Sequence, residues 1–468
     1  MSNIQYPDAD VEKKLPIDHI EADDDVEPGI DYVEGTDEEK ALVRKMDTRL
    51  FPILWFMYIF NYLDRTNIGN ARIGGMERDL KLSSSDYSLA LSIFFVGYLL
   101  AEVPSNMLLV RSRPSLFLPA LMFIWGAMSV GAKGMTNLAG LVAFRFFLGI
   151  VEAGFFPGVI LLLSCWYKPD ELSKRLAIFY SAALMAGAFG GLLAGVITEY
   201  MDGLGSTPGW QWLFIIEGLG TVVIAVVAVF VLPDYPTTTR WLNDREKKLA
   251  VARLVSRQEE GELLGHKRAF MASVKDWKTW GFMLVYVLLN GAGTISYFFP
   301  TLMTSLGYRG RNAQFMTVPI YVVALVVSLG MGWNADRTKQ KPWHIIAATV
   351  LSTVSFILTV AIGNPDVKFA FICFGGAGIW TAVPLFLSWM VGNFEGKEKR
   401  AISIAMINGF GNLASVYGSF IWPRSDGPRY VPGFSTTTAL VACAGAVVFG
   451  LKWKIARDVS RAASRPDM

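Results

Sequence analysis

Asp64, Arg65, Arg145 and Glu152 are the residues of this sequence best placed to do chemistry: each is ionisable, and each falls in or at the edge of a long apolar run. An ionisable group inside a membrane is expensive, so its presence points to function by default. Asp64 and Arg65 belong to Asn61-Tyr62-Leu63-Asp64-Arg65-Thr66-Asn67, which ends the first apolar run. On a helix, Asp64 lies about 21 Å from the start of that run, past the midplane of a bilayer. Arg145 and Glu152 stand in the fourth run and share one helical face, about 10 Å apart along the axis. Gly149, Ala153 and Gly154 between and beside them let another helix approach closely. Burial and a nearby guanidinium act in opposite senses on a carboxyl, so anion binding at the arginine and proton binding at the acid are linked. Two plainer readings compete: Asp64-Arg65 ends a helix, and Arg145 and Glu152 form a static packing pair.

These side chains need helices to hold them at depth. Of 468 residues, 53% are hydrophobic and 18% charged, against about 25% charged in a soluble domain. The 31 Phe and 14 Trp lean the same way, as lipid-facing bulk and interfacial anchors. A ruler of about 20 apolar residues per crossing marks spans near 50–68, 86–108, 115–132, 138–163, 175–198 and 211–232, then 279–303, 314–333, 343–362, 367–390, 401–421 and 436–456. The expectation is an all-α membrane protein whose 12 transmembrane helices form two six-helix bundles. Its expected parts are an acidic, disordered cytoplasmic tail over 1–48, an N-terminal bundle over 49–232, a cytoplasmic linker over 233–276, a C-terminal bundle over 277–456 and a cytoplasmic tail over 457–468. Lys and Arg crowd the linker and the loops on its side, among them Arg44, Lys45, Lys168, Arg245, Arg253, Lys339 and Lys454. That bias places both ends in the cytoplasm. Trp241 to Gln258 has helical amphipathic spacing, either lying on the inner leaflet or forming a solvated linker helix.

Two halves around a basic linker describe a secondary transporter with its site near the midplane. Other chemistry finds little support. His19, His266 and His344 are scattered, and no nucleophile–base set is visible, so an enzyme is the weakest option. Cys165, Cys373 and Cys443 lie far apart, without metal-ligand spacing. No Gly-x4-Gly-Lys-Ser/Thr loop is present, which argues against direct ATP drive. A net charge of +3 gives no reason to expect nucleic acid, and no cofactor is implied. Gly187, Gly190, Gly191 and Gly195 in the fifth span read as a close-packing surface. Glu102 reads as a packing residue near the inner surface, and Glu217 stays unassigned, at the outer interface or facing the bundle. Asn290, Tyr297, Trp380, Asn408 and Asn412 either line a cavity or serve as interhelical glue.

The run from Asn61 to Ala71 resembles the first-helix signature of the anion:cation symporter branch of the major facilitator superfamily. Arg145 to Pro157, as Arg-x3-Gly-x2-Glu-Ala-Gly-x2-Pro, resembles its fourth-helix signature, and Trp389 to Asn412 its tenth-to-eleventh-helix region. The loop Gly332-Trp-Asn-Ala-Asp336-Arg337 is similar to the superfamily's Gly-x3-Asp-Arg motif. The equivalent motif between the second and third helices is replaced by Ala101-Glu102-Val103-Pro104-Ser105-Asn106, which resembles fungal members. Fungal allantoate, nicotinate and pantothenate permeases are the most similar in length and acidic tail.

The resemblance implies proton coupling at Asp64, Glu152 and Arg145. It implies substrate binding at Arg65, with Tyr62, Asn61, Asn290 and Tyr297 nearby and either Asn408 or Asn412 on the eleventh helix. Gly332, Asp336 and Arg337 would gate the outward-facing state. The implied activity is proton-coupled uptake of a small organic anion by a monomer in the plasma membrane. Export of an acidic metabolite shares this fold, and a non-transporting sensor is disfavoured by the short C-terminal tail.

Overall fold

The computed structural model describes residues 32–110, 112–255, 266–394 and 397–463. All regular structure among them is helical. Ten helices are long and apolar enough to cross a membrane: Ser84–Leu109, Pro114–Gly134, Leu138–Ser164, Ile178–Tyr200, Gly209–Val231, Trp277–Ser305, Arg311–Thr338, Lys341–Ala361, Pro365–Val391 and Val431–Arg461. Two further helices, Asp37–Ala71 and Lys397–Gly418, are more polar and contain the expected first and eleventh spans. Together they make the expected twelve.

Three spans are interrupted, each next to a residue of interest. The first passes into a π-helical turn at Arg72–Met76. The fourth breaks at Ala153-Gly154, directly after Glu152, because Pro157 has no N–H for the carbonyl of Ala153. The seventh tightens to a 3-10 turn at Thr294–Phe298, which carries Tyr297.

The tail boundary expected at residue 48 falls inside the first helix, which is capped by Thr36 accepting from the Glu39 N–H; residues 1–31 lie outside the described residues. The linker holds a helix at Asp244–Val255. Its apolar residues Leu249 and Ala250 are buried against protein, so this amphipathic face covers the N-terminal half and not lipid. Glu39 lies beneath it, accepting from Lys168 Nζ at 2.8 Å and Arg253 Nε at 2.8 Å. The Tyr32 hydroxyl donates to Glu39 at 2.7 Å and is also bonded to Lys168. Arg253 reaches on to Glu171 at 2.6 Å.

Several of the bonds described between the two halves lie at the end of the bundle opposite the termini. Arg424 pairs with Glu77 at 3.2 Å and Arg311 with Glu199 at 3.2 Å. Gln314 donates to the Asn70 carbonyl at 3.0 Å, and the Tyr87 hydroxyl to that of Tyr297 at 3.2 Å. The fifth span meets the eighth along its glycines, as their spacing predicts. A Cβ would stand 2.3 Å from the Tyr321 ring at Gly187, 2.3 Å from Thr317 Oγ1 at Gly191 and 2.4 Å from Phe315 at Gly195. The protein is therefore sealed at the end distal to its termini.

Gly191→Val is expected to hold this seam open. A cysteine placed at buried Asn70 should then react several-fold faster with a thiol reagent than in the parent; equal rates would show that the helices absorb the added carbons.

Burial pushes the Glu39 carboxyl up, but the bonds from Lys168, Arg253, the Gly35 N–H and Tyr32 outweigh it and hold it at about 2. A depressed carboxyl stabilises the fold above its ordinary range, and that contribution is lost as pH falls from there toward about 2. Glu39→Ala removes the carboxylate that Lys168 and Arg253 share, leaving Lys168 with Tyr32 and Glu34 and Arg253 with Glu171, and should cost about 1.5–3 kcal/mol, read as a lower unfolding temperature at neutral pH. The gap between variant and parent should narrow in acid.

Candidate functional site

The site begins with two glycines. The second and fourth spans touch backbone to backbone: a Cβ at Gly149 would lie 2.0 Å from the Phe94 carbonyl oxygen, and one at Gly97 2.3 Å from that of Phe146. This approach sets the ring of Phe94 between two guanidinium groups, 5.4 Å from that of Arg65 and 4.6 Å from that of Arg145. Tyr98, one turn on, stands 4.9 Å from the Arg65 guanidinium. Such faces stabilise cations where water is scarce.

Glu152 is fully buried, and its Oε2 accepts from Arg65 Nε at 2.6 Å and from Asn61 Nδ2 at 2.9 Å. Asn61 and Arg65 reach it together because they lie one turn apart on the first helix. Arg145 shares the helix of Glu152 but does not bond to it. It donates from Nε to the Ala90 carbonyl at 3.3 Å and is fully buried, with both terminal nitrogens unpartnered. Arg65 likewise has one terminal nitrogen buried and unpartnered. Two guanidinium groups thus face one carboxylate, leaving spare donors and an excess of positive charge.

Asp64 adjoins Arg65 in sequence but points elsewhere, since successive helical residues diverge by about 100°. It is buried among the first, third and sixth spans, accepting from Trp125 Nε1 at 3.1 Å, Ser129 Oγ at 3.2 Å and Thr221 Oγ1 at 2.9 Å. Sequence reasoning passed over all three donors. Ser129 and Thr221 are the only hint it held, as small hydroxyls in apolar runs.

The C-terminal half faces the arginines with rings and amides. Tyr62 meets Trp380 across the halves at 5.6 Å. Asn408 donates to Glu102 of the N-terminal half at 2.8 Å and lies 3.5 Å from the Tyr286 hydroxyl. Between the two candidates on the eleventh helix, Asn408 therefore spans the halves, while Asn412 is half-buried without a described partner. Glu102, read as a packing residue, is the partner of Asn408 across the cleft. Asn290 is half-buried within reach of Tyr286. Tyr297 contributes its backbone to the seam, where its carbonyl would meet a Cβ at Gly69 at 2.6 Å, and its ring lies 6.2 Å from Phe95.

Gly332, Asp336 and Arg337 are apart from this cleft. They were expected in a loop but form the last turns of the eighth span, which ends at Thr338 with Lys339 left-handed. Asp336 and Arg337 are exposed, and Arg337 lies over the Trp333 ring at 5.6 Å.

A twelve-helix bundle with buried arginines and a carboxylate facing the opposite half, closed at the distal end, is the architecture of a membrane transporter and not of an enzyme. The chain belongs to the Major Facilitator Superfamily, whose family profile matches residues 54–419. It is 35% identical to the MFS transporter prlL of a fungal species (strain NRRL 50135), over 88% of this chain and 87% of that one. It is 33% identical to the MFS-type transporter cnsO of Penicillium expansum, over 90% and 84%. The major facilitator-type transporter hxnP of Emericella nidulans is 31% identical, over 89% and 85%. The fold superposes with a TM-score of 0.65, at 16% identity, on a bacterial homolog of the human lysosomal transporter Spinster in an inward-facing, unoccupied conformation; the match covers 91% of this chain and 99% of that one.

Removing one donor from Asp64 tests its cage. Thr221→Val keeps the shape, removes the hydroxyl and should cost about 1–2 kcal/mol at neutral pH, measured as a lower unfolding temperature of the purified protein.

Proposed function

We propose that this transporter carries a small organic anion, a carboxylate or vitamin-like acid, together with protons by alternating access, as a member of the anion:cation symporter branch. The observation that carries the reading is the charge imbalance of the cleft: Arg65 and Arg145 face Glu152 alone, with three buried guanidinium nitrogens unpartnered. A carboxylate entering beside Arg65 supplies the missing charge and accepts two parallel bonds in the geometry a guanidinium favours. Glu152 already holds Arg65, so substrate and Glu152 compete for one cation. Protonation of Glu152 releases Arg65 to the substrate, and deprotonation recaptures it. Anion and proton binding are linked by that exchange.

With both termini in the cytoplasm of a plasma-membrane monomer, the contacts at the distal end close the outer side, which supports reading this state as inward-facing. Asp336 and Arg337 are exposed in it, as expected of groups that engage when the inner end closes. Asn408 and Glu102, bonded across the halves, sense the rocking.

The test is uptake of labelled nicotinate, allantoate, pantothenate, biotin and simple sugar acids into cells lacking their own carriers, at about pH 5 and about pH 7.5. Acid should stimulate accumulation of one class. Arg65→Ala should lower kcat/KM about 10- to 100-fold, the worth of a charge-assisted bond of about 1.5–3 kcal/mol, and Glu152→Gln should flatten the pH dependence. Uptake indifferent to both substitutions would refute the assignment. Accumulation from inside-out vesicles, without uptake by whole cells, would make the protein an exporter.

A further inference from the structure

A second buried acid lies outside the cleft. Glu217 in the sixth span is 2% exposed, and both of its carboxyl oxygens are unpartnered. The wall around it is tight: a Cβ at the adjoining Gly218 would lie 2.7 Å from the Gly126 carbonyl oxygen of the third span. One turn along, the Thr221 hydroxyl lies 2.9 Å from Asp64 Oδ2 and 2.9 Å from the Glu217 backbone carbonyl, so the two acids occupy one small region. The first span contributes Asp64 there, and the charged groups nearest to the pair on the neighbouring spans are Glu152 of the fourth and Arg65 of the first, which bond to each other. The third span contributes Trp125 and Ser129, and both donate to Asp64. Three donors therefore converge on one carboxyl and none on the other.

A carboxyl deprived of both water and donors takes up a proton more readily than one that donors reach. We infer that Asp64 and Glu217 form a proton-holding pair in the wall of the N-terminal half, apart from the cleft. The pair holds its first proton on Glu217, and Asp64 carries the negative charge. Asp64 binds a proton of its own only as the second step of a coupled titration. This rests on the proposed proton coupling for its consequence in transport, since it gives the N-terminal half a proton reserve that the substrate does not touch.

Infrared spectroscopy of the purified full chain in lipid nanodiscs tests the pair without any substrate. The C=O stretch of a protonated carboxyl should be present at about pH 7.5 and absent in Glu217→Gln. In Asp64→Asn it should vanish at lower pH than in the parent, because the neighbouring charge that retains the proton is gone. Glu217→Asp, which moves the band without deleting it, makes the assignment if the glutamine variant does not fold. No band in the parent, a band untouched by either Glu217 substitution, or an unchanged titration in Asp64→Asn would overturn the inference. Failure of the uptake experiment would leave these spectra as they are, so the two readings fail separately.

Discussion

The bond from Arg65 to Glu152, 2.6 Å long and set among aromatic rings, is the interaction on which the interior depends. Charges taken out of water are repaid only where geometry is close and remaining donors are used. Here one carboxylate answers two guanidinium groups, so the repayment is incomplete by design of the surroundings: Phe94 and Tyr98 supply ring faces where a second acid would otherwise stand. The placement of Phe94 depends in turn on Gly97 and Gly149, without which the second and fourth spans would be forced apart. Backbone contact, ring and ion pair form one chain of cause.

Charge is distributed unevenly between the halves. Asp64, Arg65, Arg145, Glu152 and Glu217 all stand in the N-terminal bundle, while the opposing wall offers Tyr286, Asn290, Trp380 and Asn408. Among the described residues, no buried ion pair joins the two halves, so the mutual geometry of these ionic groups is set within one bundle. The contacts that cross between the halves include hydrogen bonds from Asn408 to Glu102 and from Ser92 to the Val416 carbonyl, and the Tyr62–Trp380 ring contact. Stronger pairs, Arg424–Glu77 and Arg311–Glu199, are at the distal rim, where side chains are partly exposed and water can compensate their separation.

Span count and depth of charge were legible because hydropathy and helical rise are local properties. The glycines of the fifth span were legible for the same reason: a stripe of missing side chains has little use except close approach. Partners were not. A spacing of seven put Arg145 and Glu152 on one face, yet Glu152 bonds to Arg65 of another helix, since interhelical pairing depends on crossing geometry that no single helix encodes. Asp64 and Arg65 read as a unit because they are adjacent, and a rotation of about 100° between them divides them between the bundle wall and the cleft. The acidic segment around Glu39 read as tail because composition suited it to water; its partners Lys168 and Arg253 come from turns and linker more than a hundred residues away.

That terminal cluster bears on how the halves are joined. The linker helix Asp244–Val255 is bound firmly to the N-terminal half: Arg253 is fully buried on Glu39 and Glu171, Lys45 meets Glu246 at 2.8 Å, and Trp241 stacks on Trp166 at 5.4 Å. The start of the linker is thus part of the N-terminal body. At its far end, Asp276 caps the seventh span and pairs with Lys399 at 2.7 Å, which fixes that end to the C-terminal body.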